Sequence, residues 1–345
     1  MNKCLITKLS GSVNNDNLPQ LGKMLVKIGT PTSGVAHLQV KFNKDETVVV
    51  KNGYFTDTTG AENKGASLEI KNGSAGNIYF SNNDCVVSIP KYTIASFNDN
   101  GVGTHDTIEF DLSELKYSAN LDFLYFTSPL ITGDIEALKN NIKLTTIFFK
   151  STLVTGDISN LKGLSKIKTL SLSNTLITGD ISNLKDMSEI NTLYLPSPLI
   201  TGNIAALAKM ISLKTLTLLS PLITGDISVL NNMTKLTSDV RFNGKLTGEI
   251  SNLPLKFLSF NKVTKLSWSG TRPSNMKIIA LERVNLGNNV DKALNDLAQC
   301  EVGFVSSDDY WRKKITIYGT RTSASDNAIS TLQSKGYTVS VTPEQ

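Results

Sequence analysis

Cysteine and histidine are scarce in this chain, and several chemistries go with them. There are three cysteines in 345 residues, Cys4, Cys85 and Cys300. Their number is odd and they lie far apart, so no disulfide framework is visible, a pattern that suits folding in a reducing compartment. The two histidines, His37 and His105, stand in no metal-ligand spacing and beside no cysteine pair, which argues against a zinc site. No stretch approaches the roughly 18 consecutive apolar residues of a membrane span. Phosphate-binding glycine loops, dinucleotide fingerprints and nucleophile elbows are missing. The net charge of +5 is modest and no basic run stands out, so nucleic acid is not an expected partner. The carboxylate pair Asp308-Asp309 reads as a solvated loop, because paired acids do chemistry only inside a shaped cleft. No cofactor, resident metal or catalytic residue is therefore expected.

The N-terminus, Met1-Asn-Lys-Cys-Leu-Ile-Thr-Lys-Leu, starts like an export signal. Thr7, Lys8, Ser10 and Ser12 then interrupt the apolar run well before a signal core could form, so export by that route is not expected.

What the chain does have is order and repetition. Hydrophobic residues make up 40% and charged residues 19%, which suits a folded protein of two or three units. Gly133, Gly156, Gly179, Gly202, Gly225 and Gly248 follow one another at intervals of 23 residues, without insertion or deletion. Threonine precedes every one of them. Isoleucine follows two residues later (Ile135 to Ile250) and leucine five residues later (Leu138 to Leu253). A strict apolar period means that each unit buries the same side chains in the same layer against its neighbours.

Before each glycine runs an apolar triplet: Leu121/Leu124/Phe126, Leu144/Ile147/Phe149, Ile167/Leu170/Leu172, Ile190/Leu193/Leu195 and Leu213/Leu216/Leu218. The last two members alternate at period two, as in a half-buried strand. Stacked strands of this kind make a parallel sheet, and the glycine permits the turn that follows it. In the next unit Asp239 and Arg241 fall on core positions beside Val240 and Phe242. A slip of one residue would return the apolar pair to the core. Phe110-Asp-Leu-Ser-Glu-Leu115 reads as a degenerate first unit. Leu258/Phe260 and Leu266/Trp268 read as a degenerate last one.

These positions resemble the leucine-rich-repeat family, whose pattern is L-x-x-L-x-L-x-x-N-x-L-x-G-x-I. The resemblance covers about half the chain. It implies a solenoid with a parallel sheet along one side, over residues 105–270. One departure stands out: Pro129, Thr152, Thr175, Pro198 and Pro221 occupy the place of the family's buried asparagine. Threonine hydroxyls, waters or tighter turns must serve there instead.

Solenoids expose apolar ends and need caps. Residues 1–104 hold short β-type runs at Cys4–Leu9, Met24–Ile28, Ala36–Phe42, Thr47–Val50, Ser67–Ile70, Ile78–Phe80 and Cys85–Ile89. They predict a small antiparallel β domain. Residues 271–345 predict an α/β cap: strand Lys277–Leu281, helix Val290–Gln299, strand Lys314–Tyr318, helix Ser325–Lys335 and strand Tyr337–Val341. The fold class expected is α+β or mainly β.

Two terminal segments are similar to stretches of structural proteins of tailed phages infecting gut Bacteroidetes, including crAss-like phages. One is Leu5-Ile-Thr-Lys-Leu-Ser-Gly-Ser-Val-Asn-Asn-Asp-Asn-Leu-Pro-Gln-Leu-Gly. The other is Gly319-Thr-Arg-Thr-Ser-Ala-Ser-Asp with Leu332-Gln-Ser-Lys-Gly336. That similarity implies a virion appendage, a head fibre, tail fibre or capsid decoration, assembled in the host cytoplasm. Its partners would be other virion proteins and a host-surface protein or glycan, and it would form a symmetric dimer or trimer. The alternative is a bacterial surface repeat protein that binds a ligand.

The outward strand positions form the candidate contact face. Phe123, Tyr125, Phe148, Lys150 and Tyr194 are its prominent members, among columns of threonine and serine that include Ser171 and Thr217. Aromatics on an exposed strand face suit contact with protein or glycan, although threonine and aromatics also favour strands for their own sake. Asp134, Asp157, Asp180 and Asp226, with Asn203 and Glu249 in the same row, admit two readings. One is a calcium ladder of stacked carboxylates. The other, preferred here, is a solvated row that closes the turns, partly compensated by Lys139, Lys162 and Lys185.

Overall fold

The computed structural model describes the strands between residues 23 and 98 and, with gaps at 117, 237–239, 252, 254–256, 262–265, 272–276 and 303–312, residues 108–343; side chains are described from Phe110 onward. The expected strand Cys4–Leu9, the opening phage-like segment up to Gly22, His105 and the Asp308-Asp309 pair lie outside the described residues. The chain packs as two compact units, Met1–Thr155 and Gly156–Gln345.

The first unit begins with two antiparallel sheets. One runs in the order Ile108–Asp111, Lys23–Ile28, Val86–Pro90, Glu46–Lys51, Ser67–Ile70. The other runs Ile94–Asn98, His37–Phe42, Ala75–Phe80, Gly53–Thr56, Glu62–Asn63. The antiparallel pairing is as the turn-separated runs predicted. Gly53–Thr56, Glu62–Asn63 and Ile94–Asn98 were not anticipated, being too short or too polar to show alternation.

Both sheets continue into the repeats. Ile94–Asn98 pairs in parallel with Phe123–Phe126, which pairs in turn with Thr146–Lys150. Ile108–Asp111 pairs in parallel with Ile131–Thr132. Phe110 takes the place of the repeat glycine, and Leu112–Leu115 forms the first 3-10 turn, so the degenerate first unit is a genuine coil. Hydrogen-bonded continuity of this kind leaves no open sheet edge where antiparallel and parallel strands meet.

The second unit repeats one plan. A strand is followed by a turn, a short extended stretch through the glycine and a 3-10 helix, then a return turn. Strands Thr169–Ser173, Thr192–Leu195, Thr215–Leu218 and Val240–Phe242 pair in parallel. Across the coil, Gly179–Asp180, Ile200–Asn203, Ile223–Asp226 and Lys245–Thr247 form a second parallel sheet. Between them Leu170, Leu193, Leu216, Ile181, Ile204, Ile227, Leu184, Leu207 and Leu230 are fully inaccessible, which is the layered core that the period implies.

The slip at Asp239 to Phe242 takes the form expected. Val240 pairs with Leu216 and Phe242 with Leu218, each one residue later than the period dictates, and both are buried. The turn that follows is shortened to compensate. Four residues stand between Leu218 and Ile223, but three between Phe242 and Leu246. Gly244 makes that short cut possible, because a Cβ there would lie 3.1 Å from the Ile223 Cβ and still closer to its carbonyl oxygen.

The turns lacking asparagine use two devices. In three coils Ser128, Ser197 and Ser220, just before the prolines, are buried and their hydroxyls accept the backbone N–H of Leu130, Leu199 and Leu222 at 3.2–3.3 Å. In the other two, Ser151 and Asn174 adopt a left-handed backbone, with φ of 60° and 52°, and Thr152 and Thr175 tuck inward. Where threonine hydroxyls, waters or tighter turns were expected, serine hydroxyls thus serve the three proline coils, while the Thr175 hydroxyl donates to the Leu172 carbonyl in another.

Beyond residue 250 the coils change character. Phe257–Asn261, Lys277–Gly287, Lys314–Gly319 and Thr338–Thr342 extend the parallel sheet. Two α-helices, α1 (Val290–Ala298) and α2 (Asp326–Ser334), replace the 3-10 turns. Helix α1 buries Val290, Ala293, Leu294 and Leu297. Its C-terminal carbonyls are capped from outside by Lys335, whose Nζ donates to the carbonyls of Ala298 and Cys300 at 2.6 and 2.8 Å. Gly336, with φ of 88°, ends α2 as a C′ glycine should, and its N–H donates to the Gln333 carbonyl. The strand–helix alternation expected for the cap is present throughout.

Candidate functional site

In the first unit Phe123–Phe126 and Thr146–Lys150 lie in register, with Phe123 beside Thr146 and Tyr125 beside Phe148. Leu124, Phe126, Ile147 and Phe149 point into the core and are fully inaccessible. Phe123, Tyr125 and Phe148 point the other way and are half-exposed, and Lys150 at the strand end is exposed. The Tyr125 and Phe148 rings stack face to face, with centroids 4.2 Å apart and planes within 3°. Behind them Phe126 and Phe149 stack at 5.7 Å inside the core. The result is a flat, uncharged aromatic platform fixed by a rigid double layer, with one cation at its margin.

Tyr194 lies in the second unit, half-exposed on Thr192–Leu195. Its register neighbours are Ser171 and Thr217. Both were expected to stand exposed on the outer face, yet they retain only 3% and 2% of their accessible surface. The open columns of small hydroxyl side chains are thus partly closed in this unit.

The acidic row is structural. Asp134, Asp157, Asp180, Asn203 and Asp226 each cap a 3-10 turn, accepting the backbone N–H two residues on at 2.7–2.8 Å. Asp157, Asp180, Asn203 and Asp226 also lean on the glycine of the following coil. A Cβ on Gly179, whose φ is +110°, would lie 2.6 Å from Asp157 Oδ1. The threonine before each glycine reaches back as well: Thr178 donates to the Gly156 carbonyl and Thr201 to that of Gly179, at 3.4 and 3.3 Å. Thr-Gly-Asp is therefore one locking device spread over two coils. Hydrogen bonds from the Ser159 hydroxyl and N–H hold the Asp157 carboxyl below its ordinary value. Among the described residues no group of three His, Cys, Asp or Glu side chains is placed to hold a metal. Lys139 pairs with Glu136 at 2.6 Å, so its charge serves that carboxylate.

Glu249 ends the row differently. It accepts from the N–H and hydroxyl of Ser251, from those of Ser269, and from the Ser267 hydroxyl. Burial pushes its pKa up, but the donors of Ser251 and Ser269 outweigh that and hold it at about 2.

A further column escaped sequence reading. Leu130 and Leu153 in the first unit, and Leu176, Leu199 and Leu222 in the second, recur at the 23-residue period just after the strands, and 37–51% of each is exposed. The regular spacing was visible, but in a repeat protein a periodic leucine reads as core.

No family model matches the chain, and no curated protein matches it. Among solved structures, an internalin of Listeria monocytogenes is 18% identical, with a TM-score of 0.40, over 67% of this chain and 78% of that one. The PEPR1–AtPEP1 structure is 16% identical, with a TM-score of 0.46, over 73% of this chain and 35% of that one. A leucine-rich-repeat protein of Leptospira interrogans is 12% identical, with a TM-score of 0.38, over 66% and 68%. These likenesses carry no functional argument. The repeat solenoid stands on the period and strand registers of the chain itself.

Proposed function

We propose that this chain is a non-catalytic contact module whose outer sheet face, centred on Tyr125 and Phe148, binds a protein partner. The stacked pair is the observation that carries the reading. Two large rings held half in solvent, already ordered by the strands beneath them, lose little entropy on binding and offer a broad apolar contact. Phe123 extends the platform, and Lys150 supplies a charge at its rim.

The finer reading is a structural appendage of a phage particle, a head or tail fibre or capsid decoration, with its N-terminal β region as anchor. The two terminal segments similar to phage structural proteins support it, as read in the sequence itself. Quantitative mass spectrometry of purified phage particles tests this reading. Peptides of this chain at fixed stoichiometry to the major capsid protein are the expected result. Their absence from particles, with presence in bacterial membrane fractions, overturns it in favour of a surface-binding repeat protein. The contact face is tested by alanine at Tyr125 and Phe148 together. Incorporation into particles, or binding to the isolated partner, is expected to fall by about tenfold or more, the loss of a central aromatic anchor. Unchanged incorporation and affinity would reject the face.

A further inference from the structure

The second unit is polarised across its sheet. Its strands are parallel and in register, so all of them start on one edge and finish on the other. The return turns leading into the strands, 162–168, 185–191, 208–214 and 231–236, hold seven lysines against two carboxylates, Asp186 and Glu189. All seven lysines are exposed. Ile211 stands among them with 55% of its surface exposed. The turns leaving the first three of these strands, 174–180, 197–203 and 220–226, contain no lysine or arginine and hold two carboxylates, Asp180 and Asp226; the fourth, 243–249, carries Lys245 and Glu249. In the first three the exposed side chains include Leu176, Leu199 and Leu222, at 51%, 43% and 51%. Pro198 and Pro221 lie beside the last two and are exposed as well.

Solvent does not account for a leucine at this place in three successive coils. A side chain half in water contributes little to the core, and Lys245 stands at the same position of the following coil, so the fold accepts a polar residue there. The two edges complement each other, one apolar and bordered by carboxylates, the other cationic with an exposed isoleucine. Both advance by the same step from coil to coil. A partner must match that step to place an apolar group against each leucine, and another copy of this chain does so by construction.

We propose that copies of this chain associate edge to edge, the leucine edge of one (Leu176, Leu199, Leu222) packing on the lysine edge (Lys168, Lys214, Ile211) of the next. The contact is heterologous, so it closes into a ring or continues as an array. It does not use the aromatic platform and stands whether or not that face binds a partner.

The test uses the full chain and two variants, one with Leu199→Lys and Leu222→Lys, the other with Lys168→Glu and Lys214→Glu. All four positions are exposed, and unchanged melting curves check the fold. The molar mass of wild type by sedimentation should rise with concentration and fall back in high salt. Each variant alone should stay a single chain, because each has lost one of the two edges. Mixed in equal amounts, the variants should form a complex of two chains and no larger, since each supplies the edge that the other lacks. A wild type that remains a single chain at every concentration overturns the proposal. So do variants that still self-associate, and so does a mixture that yields no complex.

Discussion

The regular coils of the second unit and the stretch from Glu249 to α1 solve one problem in two ways. In the coils every job is done by the same residue in the same place. An aspartate or asparagine caps the 3-10 turn, a glycine makes room for the cap of the coil before, and a threonine ties back to that coil's glycine. Past residue 249 each job falls to a particular residue. Glu249 gathers five donors on one carboxylate. Trp268, fully buried, donates its indole N–H to Asp296 on α1 at 2.8 Å, and Lys292 pairs with the same carboxylate. A repeated device is a sum of small equal terms, whereas the junction rests on a few large ones.

That contrast can be broken from either side. Trp268→Ala should have the largest effect, about 3–5 kcal/mol, as an emptied aromatic site in a core that cannot close over it. Denaturant unfolding followed by amide exchange should show the loss concentrated around α1; uniform loss along the coils would contradict a local junction. Gly202→Ala comes next, at about 1–3 kcal/mol, since its φ is +120° and a Cβ would meet the Asp180 carboxylate. Combined with Asp180→Ala, part of that cost should return; strict additivity would deny the contact between coils.

Glu249→Gln should cost stability in a pH-dependent way. The folded carboxyl titrates at about 2 and the free one at 4.5, so its ionised form stabilises the fold fully above 4.5. The contribution fades as pH falls toward 2. Melting curves of wild type and variant should differ at neutral pH and converge in acid; a constant gap would mean that charge is not involved. Asp180→Ala alone should cost about 1 kcal/mol, the loss of one cap among many. Calcium should leave the melting temperature unchanged, because each aspartate already uses one carboxylate oxygen to cap its own turn and no three carboxylates of the described residues converge. A clear rise on titration would revive the ladder of ligands.

The aromatic platform was half legible. Alternation marked Phe123, Tyr125 and Phe148 as outward, but the register that stacks Tyr125 on Phe148 is a property of paired strands. Ser171 and Thr217 show the limit of that reasoning, since alternation assigns a direction and does not fix how much of a small side chain the rest of the sheet leaves exposed. The lost asparagine was legible as an absence. The serine one residue earlier that replaces it was not, because hydroxyl groups before proline occur in many turns.

By itself the sequence determined the coil, its 23-residue length, the residues of its core, the order of strands and helices in the cap, and the single slip at Val240. All of these follow from which positions are apolar and how far apart they recur. Only the tertiary structure decided which of two equally periodic leucine columns faces water, and that an aspartate and the glycine of the next coil form one contact. It also decided that the exposed lysines of the turns entering the strands and the exposed leucines of the turns leaving them lie at opposite strand ends of the second unit. The reason is physical. A period records that a position repeats, whereas burial, contact and charge separation depend on how the chain turns between one repeat and the next.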